Sequence, residues 1–362
     1  MKGLILVGGF GTRLRPLTLS YPTPLVDFCN KPLVRHQIEA LASVGVDEVI
    51  LAINYQPTAM LAALATMSRE IGIRIACSHE TEPLGTAGPL ALARAHLERH
   101  PDDPFFVINS DVMADMTVLP EALAFHQSHG GEGTILIKKV EEPSEYGVVI
   151  TDPEGSGRVD RFIEKPREYV GNHVNAGIYI LNRDVLDRID LRPTSMEQEI
   201  FPQMAAEGNL FALLLPGYWQ DVGEPKNFLS GMCRHLQFLN SHSLLRPRPG
   251  TVGHVLVDPT AVIGEGCLIG PDVVIGAGCV IEEGVRLSRT TLLRDVTVRS
   301  HTWIHNSIIG WGSTIGRWCR VEGLTVLGED VQVKDERFLN GGLVLPHKAI
   351  STNIPEPGTI VM

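Results

Sequence analysis

A glycine-rich segment near the N-terminus combines residue types that bind polyphosphate. It consists of the apolar run Leu4-Ile5-Leu6-Val7 and then Gly8, Gly9, Gly11, Thr12, Arg13 and Arg15. Glycines let backbone amides approach a ligand without a Cβ in the way, and guanidinium groups pair with phosphate oxygens. A buried strand that leads into glycines and fixed cations is therefore typical of a phosphate-binding loop, and we count Leu6 at its base among the candidate nucleotide-binding residues.

Two common phosphate-binding loops do not fit this segment. No Gly-Lys-Ser/Thr triplet follows the glycines, which excludes a Walker A loop, and Leu14 stands where a dinucleotide fingerprint needs its third glycine. A plain glycine turn between a strand and a helix is the structural alternative. The string Thr-Arg-Leu-x-Pro-Leu-Thr, which begins at Thr12, disfavours that alternative.

Two aspartates have the chemistry of magnesium ligands. Asp111 ends the run Asn109-Ser110-Asp111 after an apolar strand predicted over 104–108, and Asp221 follows a strand predicted over 210–215. Mg²⁺ is usually held by one or two carboxylates together with substrate phosphates. An aspartate after a strand is otherwise often a turn cap, so the prediction depends on the two acting together, with Asn109 beside the nucleotide.

Further candidates fall in predicted loops and at predicted strand ends: Glu80, Gly85, Thr86, Gly147, Glu164, Lys165 and Asn175. The carboxylate of Glu80 can accept hydrogen bonds from the N1–H and N2–H₂ edge of guanine. Gly85 and Gly147 permit close approach of a ring or a hexose. Glu164 and Asn175 suit sugar hydroxyls, and Lys165 can neutralise a sugar phosphate. Each residue alone is more often a solvated surface residue, so the ordered set carries the prediction.

An alternating series of strands and helices must position these side chains. The hydrophobic spacing predicts helices over 32–44, 58–71 and 89–97 and strands over 48–54, 73–78 and 104–108. Such alternation is typical of an α/β, Rossmann-like domain with a mostly parallel sheet, in which ligands bind beyond the carboxyl ends of the strands. Thr194-Ser195-Met196-Glu197 has capping-box spacing, which we interpret as the structural start of a helix ending near Gly208.

The last third of the chain has a six-residue period, which predicts a left-handed parallel β-helix of hexapeptide repeats. The periodic apolar residues are Ile263, Ile269, Ile275, Ile281, Leu287 and Leu293, then, after a slip over 298–306, Ile309, Ile315, Val321, Leu327, Val333, Leu339 and Leu345. We predict an α/β, substrate-binding and catalytic domain over 1–240, a linker over 241–253 and the β-helix over 254–362. An alternative is that the β-helix catalyses acyl transfer through His301, His305 or His347. We favour the interpretation that these are surface histidines on a β-helix with a structural role.

Composition limits the classes of partner. A chain of 362 residues suits two domains, and 44% hydrophobic with 20% charged residues is globular. The net charge of -11 argues against nucleic acid or an anionic membrane as a partner. The six cysteines form no CxxC pair, which indicates reduced thiols, and no stretch is long enough to cross a bilayer. We expect a cytoplasmic protein.

The ordered motifs resemble those of sugar-phosphate nucleotidylyltransferases, in particular the catalytic β subunits of mannose-1-phosphate guanylyltransferases. They read GGFGTRLRPLT, FCNKPL, EPLGTAGPL, NSDV, EYGVV, FIEKP, NAGIYIL, WQDVGEP, GEDV and VLPHKAI. The resemblance implies GTP and mannose 1-phosphate as substrates, Mg²⁺ as cofactor, a cytosolic location, oligomers through the β-helix and association with a regulatory α subunit. It places the family's lysine at Lys165 and its metal aspartates at Asp111 and Asp221.

One position departs from the family pattern. The family has Pro-Lys-Pro-Leu after the first loop, where this chain has Thr23 in place of the lysine that contacts nucleotide phosphates. Thr23 keeps a hydrogen-bonding group and loses a charge. Lys31 lies near in sequence and offers partial compensation.

The predicted reaction is in-line attack of the mannose 1-phosphate oxygen on the α-phosphorus of GTP. Lys165, Arg13 and Asp111 are the predicted catalytic residues. Three alternatives stay open: another nucleotide or sugar phosphate, a weakly active or regulatory subunit that binds GDP-mannose, and acyl transfer on the β-helix.

Overall fold

The structure is a computed structural model that describes residues 1–9, 11–53, 58–98, 103–246 and 248–362. Asn54, the expected end of one strand, and Pro247, within the expected linker, lie outside the described residues. The chain forms two compact units. The first contains residues 1–9 and the described part of 34–219, and the second contains residues 11–33 and the described part of 220–362. The glycine segment therefore divides between the units, and the sequence-based boundaries at 240 and 254 stay predictions.

A nine-stranded sheet forms the first unit. Its strands are β1 (Lys2–Val7), β2 (Glu48–Ile53), β3 (Arg74–His79), β4 (Phe105–Asn109), β5 (Gly133–Lys139), β6 (Gly147–Thr151), β7 (Val159–Glu164), β8 (His173–Leu181) and β9 (Leu210–Leu214). The strand order is β7-β6-β8-β4-β1-β2-β3, with β5 also paired to β8 and β9 paired to β5. This order puts β1 and β4, which end at the glycine segment and at Asn109, side by side.

The parallel part of this sheet comes from the expected alternation of strands and helices. β1 runs parallel to β2 and β4, β2 to β3, and β9 to β5. β8 runs antiparallel to β4, β5 and β6, and β6 runs antiparallel to β7. No helix separates β6, β7 and β8 in the chain, and short connections of this kind join antiparallel strands.

The helices of the first unit are α1 (Leu33–Ser43, whose first residue belongs to the second unit), α2 (Thr58–Ile71), α3 (Gly88–Leu92), α4 (Arg94–Leu97), α5 (Leu119–His129) and α6 (Phe201–Ala206). The bounds of α2 are those predicted. The single helix expected over 89–97 is two short helices that meet at Ala93. The expected capping box is wrong in its residues, because Ser195 and not Thr194 is the cap: its side chain accepts a hydrogen bond from the Gln198 N–H at 3.1 Å.

The apolar strand residues are buried as the continuous hydrophobic runs predict. Leu4, Ile5 and Val107 are fully buried, and Tyr179 of β8 is the largest fully buried side chain of the chain's described residues. Strands covered on both faces read as such runs, and their burial fixes the register that carries polar residues to the strand ends.

The second unit contains α7 (Pro225–Ser241) and a parallel β-helix whose short strands extend from Val255–Val257 to Ile360–Val361. Successive coils pair in parallel at offsets of 17 or 18 residues, as in Val255↔Val273 and Val273↔Thr290. One coil thus contains about three hexapeptides, so each periodic apolar residue occupies one of three sides.

The expected spacing needs a correction at two positions. Leu292 and Val344, not Leu293 and Leu345, belong to the apolar core of the β-helix. The period shortens to five residues at these sites and again between Ile304 and Ile309, whereas Val298 and Ile304 keep the six-residue spacing. The single slip predicted over 298–306 is therefore replaced by three short steps, each of which shortens a coil to 17 residues.

Candidate active site

The glycines at the end of β1 differ in what the fold demands of them. Gly9 has a φ of 82°, which disfavours other residues. Gly8 has an ordinary φ, and a Cβ built on it would meet no described atom within 4 Å. The described packing therefore sets no steric requirement for a glycine at position 8.

Gly11, in the second unit, is enclosed by two threonines. Its φ is 61°, and a Cβ there would lie 2.4 Å from Thr23 Oγ1 and 2.9 Å from Thr18 Cγ2. The Thr18 hydroxyl also donates to the Gly11 carbonyl at 2.6 Å. Thr23, the departure from the family lysine, thus contacts the glycine segment directly. Phe10, between Gly9 and Gly11, is not among the described residues.

Arg13 and Asp221 face each other within the second unit. Arg13 Nη1 lies 3.8 Å from Asp221 Oδ2, and the Arg13 side chain is 62% exposed. Asp221 also accepts a hydrogen bond from the Gly223 N–H at 2.8 Å. Thr12 is exposed beside Arg13. A solvated ion pair of this kind is weak, so both charges can be redirected by a ligand.

The carboxyl ends of β1 and β4 bring together three further candidates in the first unit. Leu6 pairs in register with Asn109, and the Leu6 carbonyl accepts from the Ser110 N–H at 3.0 Å. The Asn109 carbonyl accepts from Gln37 Nε2 at 2.9 Å. Asp111 follows and is half-buried. Because the Leu6 side chain is itself buried, Leu6 can offer a ligand only its backbone.

Asn175 is held by local bonds at a bulge in β8. Its Oδ1 accepts from the Gly177 N–H at 2.9 Å, and its Nδ2 donates to the Tyr179 hydroxyl at 2.8 Å. Gly177 has a φ of 71°, and a Cβ there would lie 2.8 Å from Asn109 Nδ2. Burial raises the pKa of Tyr179 well above its usual value. An amide has further hydrogen-bonding capacity, so Asn175 keeps one N–H and one lone pair for a ligand.

Glu164 and Lys165 occupy the end of β7. Burial and then the charge of Glu197 raise the pKa of Glu164, and Lys165 opposes the shift. Lys165 Nζ lies 3.8 Å from Glu164 Oε1, with the lysine side chain 64% exposed. A Cβ on Gly147 would lie 2.8 Å from Glu164 Oε2. The backbone of Lys165 is left-handed, with a φ of 43°.

Glu197 is a candidate that sequence reasoning missed, because its segment was interpreted as a capping box. Its carboxylate accepts from the Thr86 hydroxyl at 2.5 Å and from the Ser195 hydroxyl at 3.0 Å. Thr86 in turn accepts from the Met196 N–H at 2.8 Å. The acidic residue three positions after Thr194 was the available signal. The Thr86 hydroxyl donates to Glu197, and the charge of Glu197 raises the pKa of Glu164. We therefore add Glu197 to the group of candidate site residues that contains Thr86 and Glu164.

Glu80 and Gly85 shape the loop before α3. Glu80 is buried, accepts from the Leu84 N–H at 3.2 Å, and has its pKa raised by that burial. Gly85 has a φ of 75°, and a Cβ there would lie 2.4 Å from the Thr194 carbonyl oxygen. The Glu80 carboxylate therefore closes its own loop through one of its two oxygens.

The chain matches the models of two known protein families. A model described as Nucleotidyl transferase matches residues 2–237, and one described as GMPPB C-terminal domain matches residues 251–360. This chain belongs to the nucleotidyl transferase family. It is 59% identical to Mannose-1-phosphate guanylyltransferase 1 of Arabidopsis thaliana and 56% identical to Mannose-1-phosphate guanylyltransferase catalytic subunit beta of Danio rerio, over 100% of both chains in each case.

Two solved structures are similar to this chain in fold. HddC from Yersinia pseudotuberculosis matches with a TM-score of 0.53 and 26% identity, over 64% of this chain and 97% of HddC. HddC complexed with GMP-PN matches with a TM-score of 0.52 over the same shares of the two chains.

The acidic residues of this nucleotidyl transferase fit a hard divalent cation by chemistry. Asp111 and Asp221 offer carboxylate oxygens, the donors that Mg²⁺ prefers. Among the described residues no three His, Cys, Asp or Glu side chains form a metal-binding group. A magnesium ion that takes its other ligands from substrate phosphates and water does not need such a group. No helix in the described part of the chain is long and apolar enough to span a bilayer.

The three histidines considered for acyl transfer have structural partners in the β-helix. The His301 ring lies 4.4 Å from the Trp318 ring. His305 Nδ1 lies 2.8 Å from Ser288 Oγ, and His347 Nδ1 lies 3.1 Å from Asp330 Oδ2. Each histidine thus contacts a residue of a neighbouring coil, and acyl transfer stays an alternative.

Proposed function

We propose that this chain transfers GMP from GTP to α-D-mannose 1-phosphate, giving GDP-mannose and pyrophosphate. The observation that carries the proposal is the end-to-end likeness, at 59% identity, to Mannose-1-phosphate guanylyltransferase 1 of Arabidopsis thaliana. The exposed cations and the open glycine backbone described above support it, because each suits a polyphosphate ligand.

The reaction is a direct displacement that needs no general base. A phosphate monoester has a second pKa of about 6, so the attacking oxygen is already largely ionised at neutral pH. The protein then contributes positioning and charge neutralisation. The amides of Gly9, Gly11 and Thr12 together with Arg13 hold the triphosphate, and Lys165 holds the sugar phosphate.

Specificity is assigned to the polar residues of the first unit. The free oxygen of Glu80 accepts from the guanine edge, with Gly85 and Thr86 beside the base. Glu164 and the remaining capacity of Asn175 bind mannose hydroxyls, and Gly147 lets the ring approach the backbone. Glu80 and Glu164 are both carboxylates whose pKa values are raised by burial, and a polar ligand that donates to them offsets the cost of that burial.

Mg²⁺ is the proposed cofactor, with Asp111 and Asp221 as its protein ligands. When bound, it neutralises charge on the phosphate oxygens. Arg13 pairs with Asp221 in this structure, and the guanidinium therefore exchanges that partner for phosphate oxygens when the site is loaded. We further propose a cytoplasmic location, homo-oligomers, and association with a regulatory α subunit. The last proposal is supported by the name of the Danio rerio relative, which is a catalytic subunit beta.

A second candidate function is a weakly active or regulatory subunit that binds GDP-mannose. Thr23 favours it, because a hydroxyl replaces the positive charge that the family pattern has beside the nucleotide. Retention of Asp111, Lys165 and Asp221 opposes it.

Release of pyrophosphate tests both candidates. The purified chain is assayed with GTP and mannose 1-phosphate, and separately with ATP, UTP or glucose 1-phosphate replacing one substrate. We expect the GTP and mannose 1-phosphate pair to give the largest kcat/KM. GDP-mannose binding without turnover would support the regulatory candidate, and a preference for another pair would replace the proposed substrates.

A further inference from the structure

A buried carboxylate fastens the segment after the glycines to the β-helix, within the second unit. Asp27 begins a two-stranded hairpin, Asp27–Phe28 with Lys31–Pro32, and its side chain is 8% exposed. Asp27 Oδ2 accepts from Arg294 Nε at 2.9 Å and from Trp311 Nε1 at 2.8 Å. The two donors lie on successive coils, so one carboxylate oxygen joins the hairpin to both.

Two further contacts fix the orientation of this hairpin. Asn30 Nδ2 donates to the Ile275 carbonyl at 3.0 Å. The Phe28 ring meets the Phe228 ring of α7 edge-on, with 5.2 Å between centroids. The Tyr21 ring, upstream of the hairpin, lies 4.6 Å from the Trp311 ring. Charged, polar and aromatic contacts thus hold the segment at several places.

The segment before the hairpin contacts Gly11, the glycine that Thr18 and Thr23 enclose. Thr23 lies four residues before Asp27, and the Val26 N–H donates to the Thr23 carbonyl at 3.1 Å. Thr23 Oγ1 is the closest atom to a Cβ built on Gly11, at 2.4 Å. A short path therefore connects the carboxylate of Asp27 to the backbone at Gly11 and Arg13.

We propose that Asp27, with Arg294 and Trp311, is a positioning device for the triphosphate-binding segment. The β-helix holds Gly11, Thr12 and Arg13 in the conformation that receives the phosphates. Asp27 acts through that segment and touches no substrate. The inference rests on the proposed role of Gly11–Arg13 as the phosphate-binding residues, and it assigns the β-helix a part in nucleotide affinity.

The expected signature is selective for the nucleotide. A displaced binding group weakens a positioned contact by a factor of up to about 100. Asp27→Asn removes the negative charge that pairs with Arg294 and keeps one amide oxygen that can still accept from both donors, so it weakens the charge-assisted bond without deleting the contact. We expect it to raise the KM for GTP about tenfold and to leave the KM for mannose 1-phosphate within about twofold, since Lys165 holds the sugar phosphate.

The experiment compares full-length variants in a steady-state assay of pyrophosphate release. Trp311→Phe removes one donor and keeps the ring, so it tests the device if Asp27→Asn folds poorly. Arg294→Lys is the conservative variant, which we expect to retain more GTP affinity than Arg294→Ala. Glu282→Gln is the matched control: Glu282 also joins two coils, by accepting from the Ser300 N–H at 2.9 Å and the Ser300 hydroxyl at 2.7 Å.

The outcomes separate the device from the proposed function. Arg13→Ala tests the phosphate-binding role itself, and an unchanged KM for GTP in that variant would overturn both proposals. If Arg13→Ala raises the KM for GTP while Asp27→Asn and Trp311→Phe leave it unchanged, only the positioning role of Asp27 fails. Equal changes in the KM values of both substrates, or an equal GTP effect from Glu282→Gln, would make Asp27 a merely structural residue.

Discussion

Lys165 combines an exposed charge with a left-handed backbone, which makes stability and activity separable at one position. Its φ is 43°, and its N–H donates to the Tyr146 carbonyl at 3.2 Å. A residue with a Cβ is strained there, whereas glycine is not. We therefore predict that Lys165→Gly stabilises the fold and that Lys165→Gly and Lys165→Ala lose activity equally.

The magnitude follows from two opposing terms. A left-handed residue with a Cβ costs roughly 1–2 kcal/mol relative to glycine. The greater freedom of glycine in the unfolded chain returns about 0.4–1 kcal/mol. The net gain of Lys165→Gly over both lysine and alanine is thus between about 0 and 1.6 kcal/mol, with a central value of about 0.8 kcal/mol. The contact between Lys165 and Glu164, at 3.8 Å and with the lysine mostly exposed, adds little to this balance.

Two measurements test the prediction. Urea denaturation gives the order of stability, in which the glycine variant should exceed both the wild-type protein and the alanine variant. Pyrophosphate release from GTP and mannose 1-phosphate should fall about 10²–10³-fold in both variants, because each lacks a positioned charge. Near-native turnover in either variant would remove Lys165 from the mechanism. A glycine variant less stable than the alanine variant would refute the strain argument.

Three further predictions concern charge. Thr23→Lys should raise kcat/KM for GTP about tenfold through a charge-assisted hydrogen bond, and an unchanged value in the pyrophosphate assay would show that the lysine does not reach the phosphates. Burial penalises the ionised form of Glu164 and so raises its pKa. The stability that the protonated form contributes is therefore present below pH 4.5 and is lost as the pH rises through the raised pKa. Glu164→Gln should therefore stabilise the fold at pH 7 but not at pH 4, while turnover falls about tenfold; equal denaturation midpoints at pH 7 would contradict this. Burial lowers the pKa of His129 from 6.5 to about 4, so the stability that neutral His129 contributes is present above pH 6.5 and is lost as the pH falls toward 4. His129→Gln should flatten the dependence of unfolding free energy on pH in that window, and an unchanged slope in denaturation titrations would exclude His129 as the cause.

The sequence predicted the elements whose signal is local. Leu4 to Val7 is a buried strand because an uninterrupted apolar run suits a strand covered on both faces. The repeat from Ile263 onward is a β-helix because each periodic residue points into one narrow core. The five-residue steps at Leu292 and Val344 could not be predicted from the sequence. Each of these residues is followed by a leucine, so a five-residue and a six-residue spacing both place an apolar residue in the core. Only the pairing of successive coils selects between them.

The side-chain bonds of the site are harder to predict than its strand ends. Asp111 and Lys165 follow apolar runs, so topology alone indicates where they lie. Thr86 and Glu197 are 111 residues apart, and their contact depends on how the loop before α3 packs on the segment after Thr194. Nothing in the spacing of either motif specifies that pairing.

The structure adds a packing role to Thr23 that the sequence does not indicate. In the sequence it is a lost charge, which weakens the case for an efficient enzyme. In the structure its hydroxyl oxygen is the described atom nearest to a Cβ built on Gly11, and the hairpin that follows is joined to the β-helix through Asp27. A compact side chain at this position packs against the glycine turn, whereas a lysine must extend past it. The substitutions Thr23→Lys and Asp27→Asn therefore test separately whether a charge at position 23 increases kcat/KM for GTP and whether the hairpin positions the glycine segment.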